Sequence, residues 1–130
     1  MCRLFINADP NLWQSQTRSM RIGGMATSVR LETLFWNVLE ELGARDGLSV
    51  SQLIARLYQE SLDEGHDLEN FASFLRVCCA RYLSLQLSQD IPHDRSIPIR
   101  SLDADRILER ERNRSGAKPP RAASGATLHA

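Results

Sequence analysis

The amino-acid sequence predicts a small, mainly α-helical domain with one short strand and a flexible C-terminal tail. Three observations point there. Residues 25–31 alternate apolar and polar at period two. Three later segments repeat apolar residues at the helical period. Beyond residue 90 the apolar density falls and Pro, Arg and Ser take over. At 130 residues and 14.7 kDa the chain holds one domain with extensions, which excludes a large multidomain enzyme. Punctuation divides it into an N-terminal arm (1–20), a compact block (21–89) and a basic tail (90–130). No internal repeat is evident.

The strand comes first. It follows Gly23-Gly24, read as a flexible entry. Thr27, Val29 and Leu31 share one face, and Ala26, Ser28 and Arg30 share the other. No second strand follows within hairpin distance. A lone strand leaves a row of unpaired N–H and C=O groups, so it must pair with the arm or with the same strand in another copy.

From Glu32 the period changes. Leu34, Phe35, Val38, Leu39 and Leu42 form an apolar stripe on a first helix, which Gly43 or Gly47 ends. A second helix opens at Ser49, with Gln52 three residues on as a capping box. Val50, Leu53, Ile54, Leu57, Tyr58 and Leu62 carry its apolar period to Gly65. A third helix spans 67–88, with Leu68, Phe71, Phe74, Leu75, Cys78, Tyr82 and Leu85 as core candidates. Val77, Cys79 and Leu83 add a second stripe, which predicts burial on two sides, for example against the block and a partner chain. The tail is expected to add little packing. Within it, 103–112 suits a short charged helix, and 113–130 is expected to be disordered.

The charge is balanced overall but unevenly spread. Residues 1–31 carry four arginines against one acid. Residues 32–90 carry four arginines against ten acids, and 91–130 carry eight basic groups against five acids. Fifteen of the sixteen basic residues are arginine, whose planar fork suits phosphates and guanine edges. Such a dipolar chain invites a polyanion partner.

Enzyme chemistry finds little footing. No nucleophile elbow, phosphate loop, dinucleotide fingerprint or zinc-protease motif is present. The expectation is a non-enzyme with no catalytic residue, cofactor or metal. His66 lies between helices without a second ligand at metal spacing, and His93 and His129 lie in the tail. Cys78 and Cys79 most simply fill core volume, although Arg76 and Arg81 nearby leave a reactive thiol as a third reading. Three cysteines exclude a disulfide framework and suit a reducing cytoplasm. No signal segment is present, and no stretch approaches the roughly 18 apolar residues of a spanning helix, so no membrane role is expected.

A short alternating strand, an amphipathic helix, a Gly-containing turn and a Ser-opened helix follow one another in about forty residues. Ala26-Thr27-Ser28-Val29-Arg30-Leu31-Glu32 resembles the strand of the ribbon-helix-helix (Arc/MetJ-type) DNA-binding family. Leu34 to Leu42 resembles its first helix, and Gly47-Leu48-Ser49-Val50-Ser51-Gln52-Leu53-Ile54 its turn into the second. The arm and third helix resemble a bacterial subgroup with those additions. The resemblance covers residues 22–64. It implies a homodimer, able to assemble further along DNA, in which two chains each lend one strand to an antiparallel ribbon. That ribbon enters the major groove of double-stranded DNA.

Ala26, Ser28 and Arg30 would then meet bases. Ser49, Val50 and Ser51, at the helix N-terminus, would clamp a phosphate together with Arg21. The family's ribbon often carries a long polar side chain where this chain has Ala26, so Arg21 or Arg18 would supply the charge. The implied function is sequence-specific transcription regulation. The alternative is an antitoxin-like interaction module that dimerises through the ribbon fold and binds a protein through its tail.

Overall fold

The computed structural model describes residues 2–116. In chain order the elements are helix α1 (Cys2–Ile6), a 3-10 turn (Pro10–Trp13), strands β1 (Ser15–Ile22) and β2 (Met25–Glu32), and helices α2 (Thr33–Arg45), α3 (Val50–Asp63) and α4 (Phe71–Leu87). A second 3-10 turn (Ile99–Ser101) and helix α5 (Ala104–Ser115) follow.

The expectation of one strand is corrected: there are two among the described residues, and they form a hairpin within the chain. β1 pairs antiparallel with β2 over its whole length, from Ile22 opposite Met25 at the turn to Ser15 opposite Glu32. Gly23 and Gly24 have φ of +60° and +81°. Two successive positive φ values make the tight turn whose twist matches that of the flanking strands, and glycine adopts them without a Cβ clash. Gly-Gly is therefore the hairpin turn rather than a loose entry, and the boundary expected at residue 20 falls inside β1. Alternation in β1 is masked because two inward positions are polar, Gln16 and Arg18. Arg18 stacks over the Trp36 ring at 4.5 Å and pairs with Glu40 at 3.2 Å, so it faces the helices and cannot supply charge to the outer face.

The inner face of the hairpin buries Met20, Ile22, Val29 and Leu31 against α2, α3 and α4. Trp36, absent from the expected stripe, is fully buried and donates its indole N–H to the Gln16 carbonyl at 3.0 Å. Leu34, in that stripe, is exposed. β1 supplies a surface that the strand-and-helix reading lacked, and it rotates the buried face of α2 toward Trp36. Leu39, Ile54, Leu75 and Cys79 complete the fully buried centre.

α2 meets the following turn closely, since a Cβ on Gly43 would stand 2.8 Å from the Leu48 carbonyl oxygen. Gly47, at φ +70°, reverses the chain, and Ser49 opens α3. α4 begins at Phe71 rather than 67, because Asn70 caps it by accepting from Ser73 N–H. Its inner stripe is buried as expected at Leu75, Tyr82 and Leu85, with Cys79 in place of Cys78. Val77, Leu83 and Leu87 are exposed within the single chain.

The segment after residue 90 is docked as far as it is described. Ile91 is buried. Arg45, at the last turn of α2, is only 5% exposed and spends its guanidinium on this segment. It donates to the carbonyls of Pro92 (3.0 Å), Asp94 (3.0 Å) and Ile97 (3.1 and 3.0 Å), and to the Tyr82 hydroxyl at 3.3 Å. Tyr82 in turn donates to Glu41. The short charged helix expected at 103–112 is α5. Its Arg110 and Arg114 each pair with Asp90 at 2.9 Å, and Glu111 accepts from Arg81 at 3.0 Å. Residues 117–130, the larger part of the stretch expected to be disordered, lie outside the described residues.

Candidate nucleic-acid interface

The hairpin turns one face to the helices and the other outward. Cross-strand register sets the outward rows: Thr17 faces Arg30, Ser19 faces Ser28, and Arg21 faces Ala26. All six are exposed. On the opposite parity Val29 and Leu31 are buried and Thr27 half-buried, so Ala26, Ser28 and Arg30 point where the alternation placed them. The Gln14 carbonyl accepts from Thr33 N–H at 2.9 Å, which continues the ladder past the strand ends. This phase makes the outward rows the pairs without ladder hydrogen bonds, whose side chains stand closest together. Ser19 and Ser28 hydroxyls lie 3.5 Å apart.

Charge on this face is positive. Arg30 has no hydrogen bond or ion pair to its guanidinium among the described residues. Arg21 donates to the Gly24 carbonyl at 3.1 Å, which leaves other N–H groups of its fork available. The acid at the end of the ribbon, Glu32, is already engaged: Arg76 of α4 donates to both its oxygens, at 2.8 and 3.3 Å. That pairing holds the Glu32 carboxyl below its ordinary range, so it stays ionised and occupied rather than opposing an anion.

At the start of α3 the capping box forms as expected. Ser49 Oγ accepts from Gln52 N–H at 3.2 Å, and Gln52 Oε1 accepts from Ser49 N–H at 2.9 Å. One of the three residues expected to donate to a phosphate at this terminus, Ser49, changes status as a result. Ser49 N–H and its hydroxyl acceptor are spent on the box, whereas Val50 and Ser51 N–H, at the first two helical positions, have no acceptor within their own helix.

Thiol chemistry gains no support. Burial pushes the Cys79 thiol up to about 12, and it donates to the Phe35 carbonyl inside the core. Burial also raises Cys78, outweighing the nearby Arg81 charge. Among the described residues no group of three or more His, Cys, Asp or Glu could hold a metal ion, and no helix is long and apolar enough to cross a membrane.

A family model described as a ribbon-helix-helix domain matches residues 15–83, which takes in both strands, α2, α3 and most of α4. The chain belongs to the ribbon-helix-helix family. Members of this non-enzymatic family typically bind DNA or act as antitoxins. The match begins with β1, which the motif resemblance over 22–64 had left outside. A solved structure of an uncharacterized protein from Bordetella pertussis Tohama I is similar at 56% identity and a TM-score of 0.80, over 83% of this chain and 86% of that one. No curated protein matches the chain.

Proposed function

We propose that this ribbon-helix-helix protein recognises a specific sequence in double-stranded DNA by laying the outward face of its hairpin in the major groove, and that it regulates transcription as a homodimer. The observation that carries the reading is that face: six exposed side chains, four short and two arginine, on a ribbon whose other face buries Met20, Ile22, Val29 and Leu31 against helices. Strands stand about 4.8 Å apart, and the major groove is about 12 Å wide, so a two-stranded element fits while its short side chains let the backbone approach the bases. Arg30 is the principal base reader, with Ser28 and Ala26 beside it. Val50 and Ser51 N–H groups take a phosphate with help from the helix dipole, and Ser49 holds that terminus in shape.

Pairing within the chain removes one motive for a dimer, since β2 already has its partner. The support for a second copy moves to α4, where Val77, Leu83 and Leu87 leave apolar surface open to solvent.

Selection of DNA fragments from a random pool by the purified full chain tests the reading. Enrichment of one sequence is expected. Arg30→Ala should weaken that site by roughly 1–3 kcal/mol per contacted guanine and relax the choice there. Val29→Ala, compared at matched foldedness, should leave base preference unchanged. No enrichment over bulk DNA at any salt concentration would end the proposal and favour the antitoxin-like module.

A further inference from the structure

The two strands carry the same outward triad. Thr17-x-Ser19-x-Arg21 on β1 and Ala26-x-Ser28-x-Arg30 on β2 each present a small residue, a serine and an arginine at period two. Because the strands are antiparallel and Ser19 faces Ser28, a local two-fold axis between these serines exchanges the triads. Arg21 maps onto Arg30 and Thr17 onto Ala26. Each arginine also faces the shorter residue of the other triad, Ala26 or Thr17, which leaves room for its stem. The alanine at position 26 is thus no deficit, because the long cationic side chain at that end of the face comes from the opposite strand.

We propose that a single chain reads a short inverted repeat, with Arg30 and Arg21 each taking a guanine on opposite DNA strands. The inference rests on the major-groove reading above and reassigns Arg21 from phosphate to base. Its basis is symmetry. The local two-fold of the hairpin can lie on a dyad of the duplex, and equivalent side chains then meet equivalent bases on the two strands. The register fixes the spacing. Arg21 is displaced by four residues along the ribbon from Thr17, the residue facing Arg30. At about 3.3 Å per residue this is roughly 13 Å. A duplex rises about 3.4 Å per base pair, and a ribbon running obliquely along the groove spans about three to five steps over that length. Arginine at both ends suits guanine, whose O6 and N7 accept a forked pair of N–H groups.

The test is sequence selection from random DNA with the full-length protein and three variants, Arg21→Ala, Arg30→Ala and Arg21→Lys. Circular dichroism and thermal melting confirm foldedness, which these exposed positions should not alter. The wild-type motif should contain a guanine on each strand about three to five steps apart. Either alanine variant should lose one guanine and keep the other, with about five- to hundredfold weaker binding to the full site. Arg21→Lys should lose the same guanine as Arg21→Ala, although it keeps the charge and hence the salt dependence. A uniform loss with Arg21→Ala and an intact motif would make Arg21 a phosphate contact and overturn the inference while leaving DNA recognition standing. Loss of both guanines with Arg30→Ala and of neither with Arg21→Ala would mean that two copies of β2 read the site, and would overturn it equally. If the wild-type chain enriches no sequence, the major-groove reading itself fails.

Discussion

Arg45→Ala should unfold the C-terminal clasp and cost about 3 kcal/mol. The side chain is almost wholly enclosed, and its five hydrogen bonds reach three carbonyls of the 92–97 loop and one phenol. A hydrogen bond to a charged group contributes about 1.5–3 kcal/mol net to stability, so a simple sum would exceed about 7 kcal/mol. Two effects reduce it. Removing the guanidinium also removes the cost of burying its charge, and the freed carbonyls belong to a surface loop that water can reach. About 3 kcal/mol remains, which for a domain of this size lowers Tm by about 10 °C. Urea unfolding and thermal melting measure the loss. Trypsin should cut sooner at Arg95 and Arg100, both exposed on the released loop. Arg45→Lys should recover less than half, because a compact ammonium with three donors cannot reach the same acceptors. A loss below about 1 kcal/mol with unchanged cleavage would show that the loop holds without Arg45 and refute the reasoning. For the same reason a chain ending at residue 90 should be less stable than the full chain, since it would lose the carbonyl hydrogen bonds of Arg45 and the burial of Ile91.

Gly43→Ala should destabilise by about 1–3 kcal/mol, because its Cβ meets backbone, the Leu48 carbonyl, that cannot swing aside; an unchanged urea midpoint would contradict that packing. Alkylation of the folded protein near pH 7 should label exposed Cys2 quickly and Cys79 only on unfolding, since the Cys79 thiol is buried and pushed up to about 12. Acid should weaken the fold in a defined window. Glu32 and Glu111 are each held below their usual 4.5 chiefly by an arginine, and Asp90 below its usual 3.8 by Ser88 and then Arg114. Depressed carboxylates stabilise the folded chain fully above those ordinary values and lose the effect as pH falls through the lower folded ones. The urea midpoint should therefore hold from pH 7 to about 5 and drop below about 4.5, less steeply for Glu32→Gln. A midpoint unchanged down to pH 3 would argue against these pairs.

The three central helices, α2, α3 and α4, were legible because each buries a stripe and carries its own punctuation. Ser49 and Gln52 form the box their spacing implied, and Gly47 takes the positive φ that ends the preceding helix. β1 was not legible for a definite physical reason. Gln16 and Arg18 stand at inward positions, so the period-two signal fails over half the strand. Gln16 is exposed and Arg18 half-buried there, and the inward placement of the Arg18 cation is made tolerable by a tertiary neighbour, Trp36, which takes it on its ring. The docked tail was hidden in a similar way. Its anchor is a set of backbone carbonyls, which no side-chain pattern in 91–98 reveals, and their donor sits fifty residues earlier at Arg45.

That missed strand changes what the site can do. A lone β2 needs a second chain to become a ribbon, so its outward residues would read DNA only as a homodimer. With β1 in place, the ribbon is complete in one chain and its outer face doubles from Ala26, Ser28 and Arg30 to include Thr17, Ser19 and Arg21. Under the proposed function, a second copy would then be free to contribute a separate reading head. A second ribbon joined edge to edge would not serve, because four strands span about 14 Å between outer backbones alone, more than the roughly 12 Å groove accepts. On the proposed reading, the hairpins of a dimer would therefore enter the duplex at separate places, held apart by contact elsewhere. The exposed stripe of Val77, Leu83 and Leu87 on α4 is apolar surface suited to that contact. Sedimentation of Leu83→Glu should then show a folded monomer that still binds a single short site. A variant that stayed dimeric would place the contact on another face.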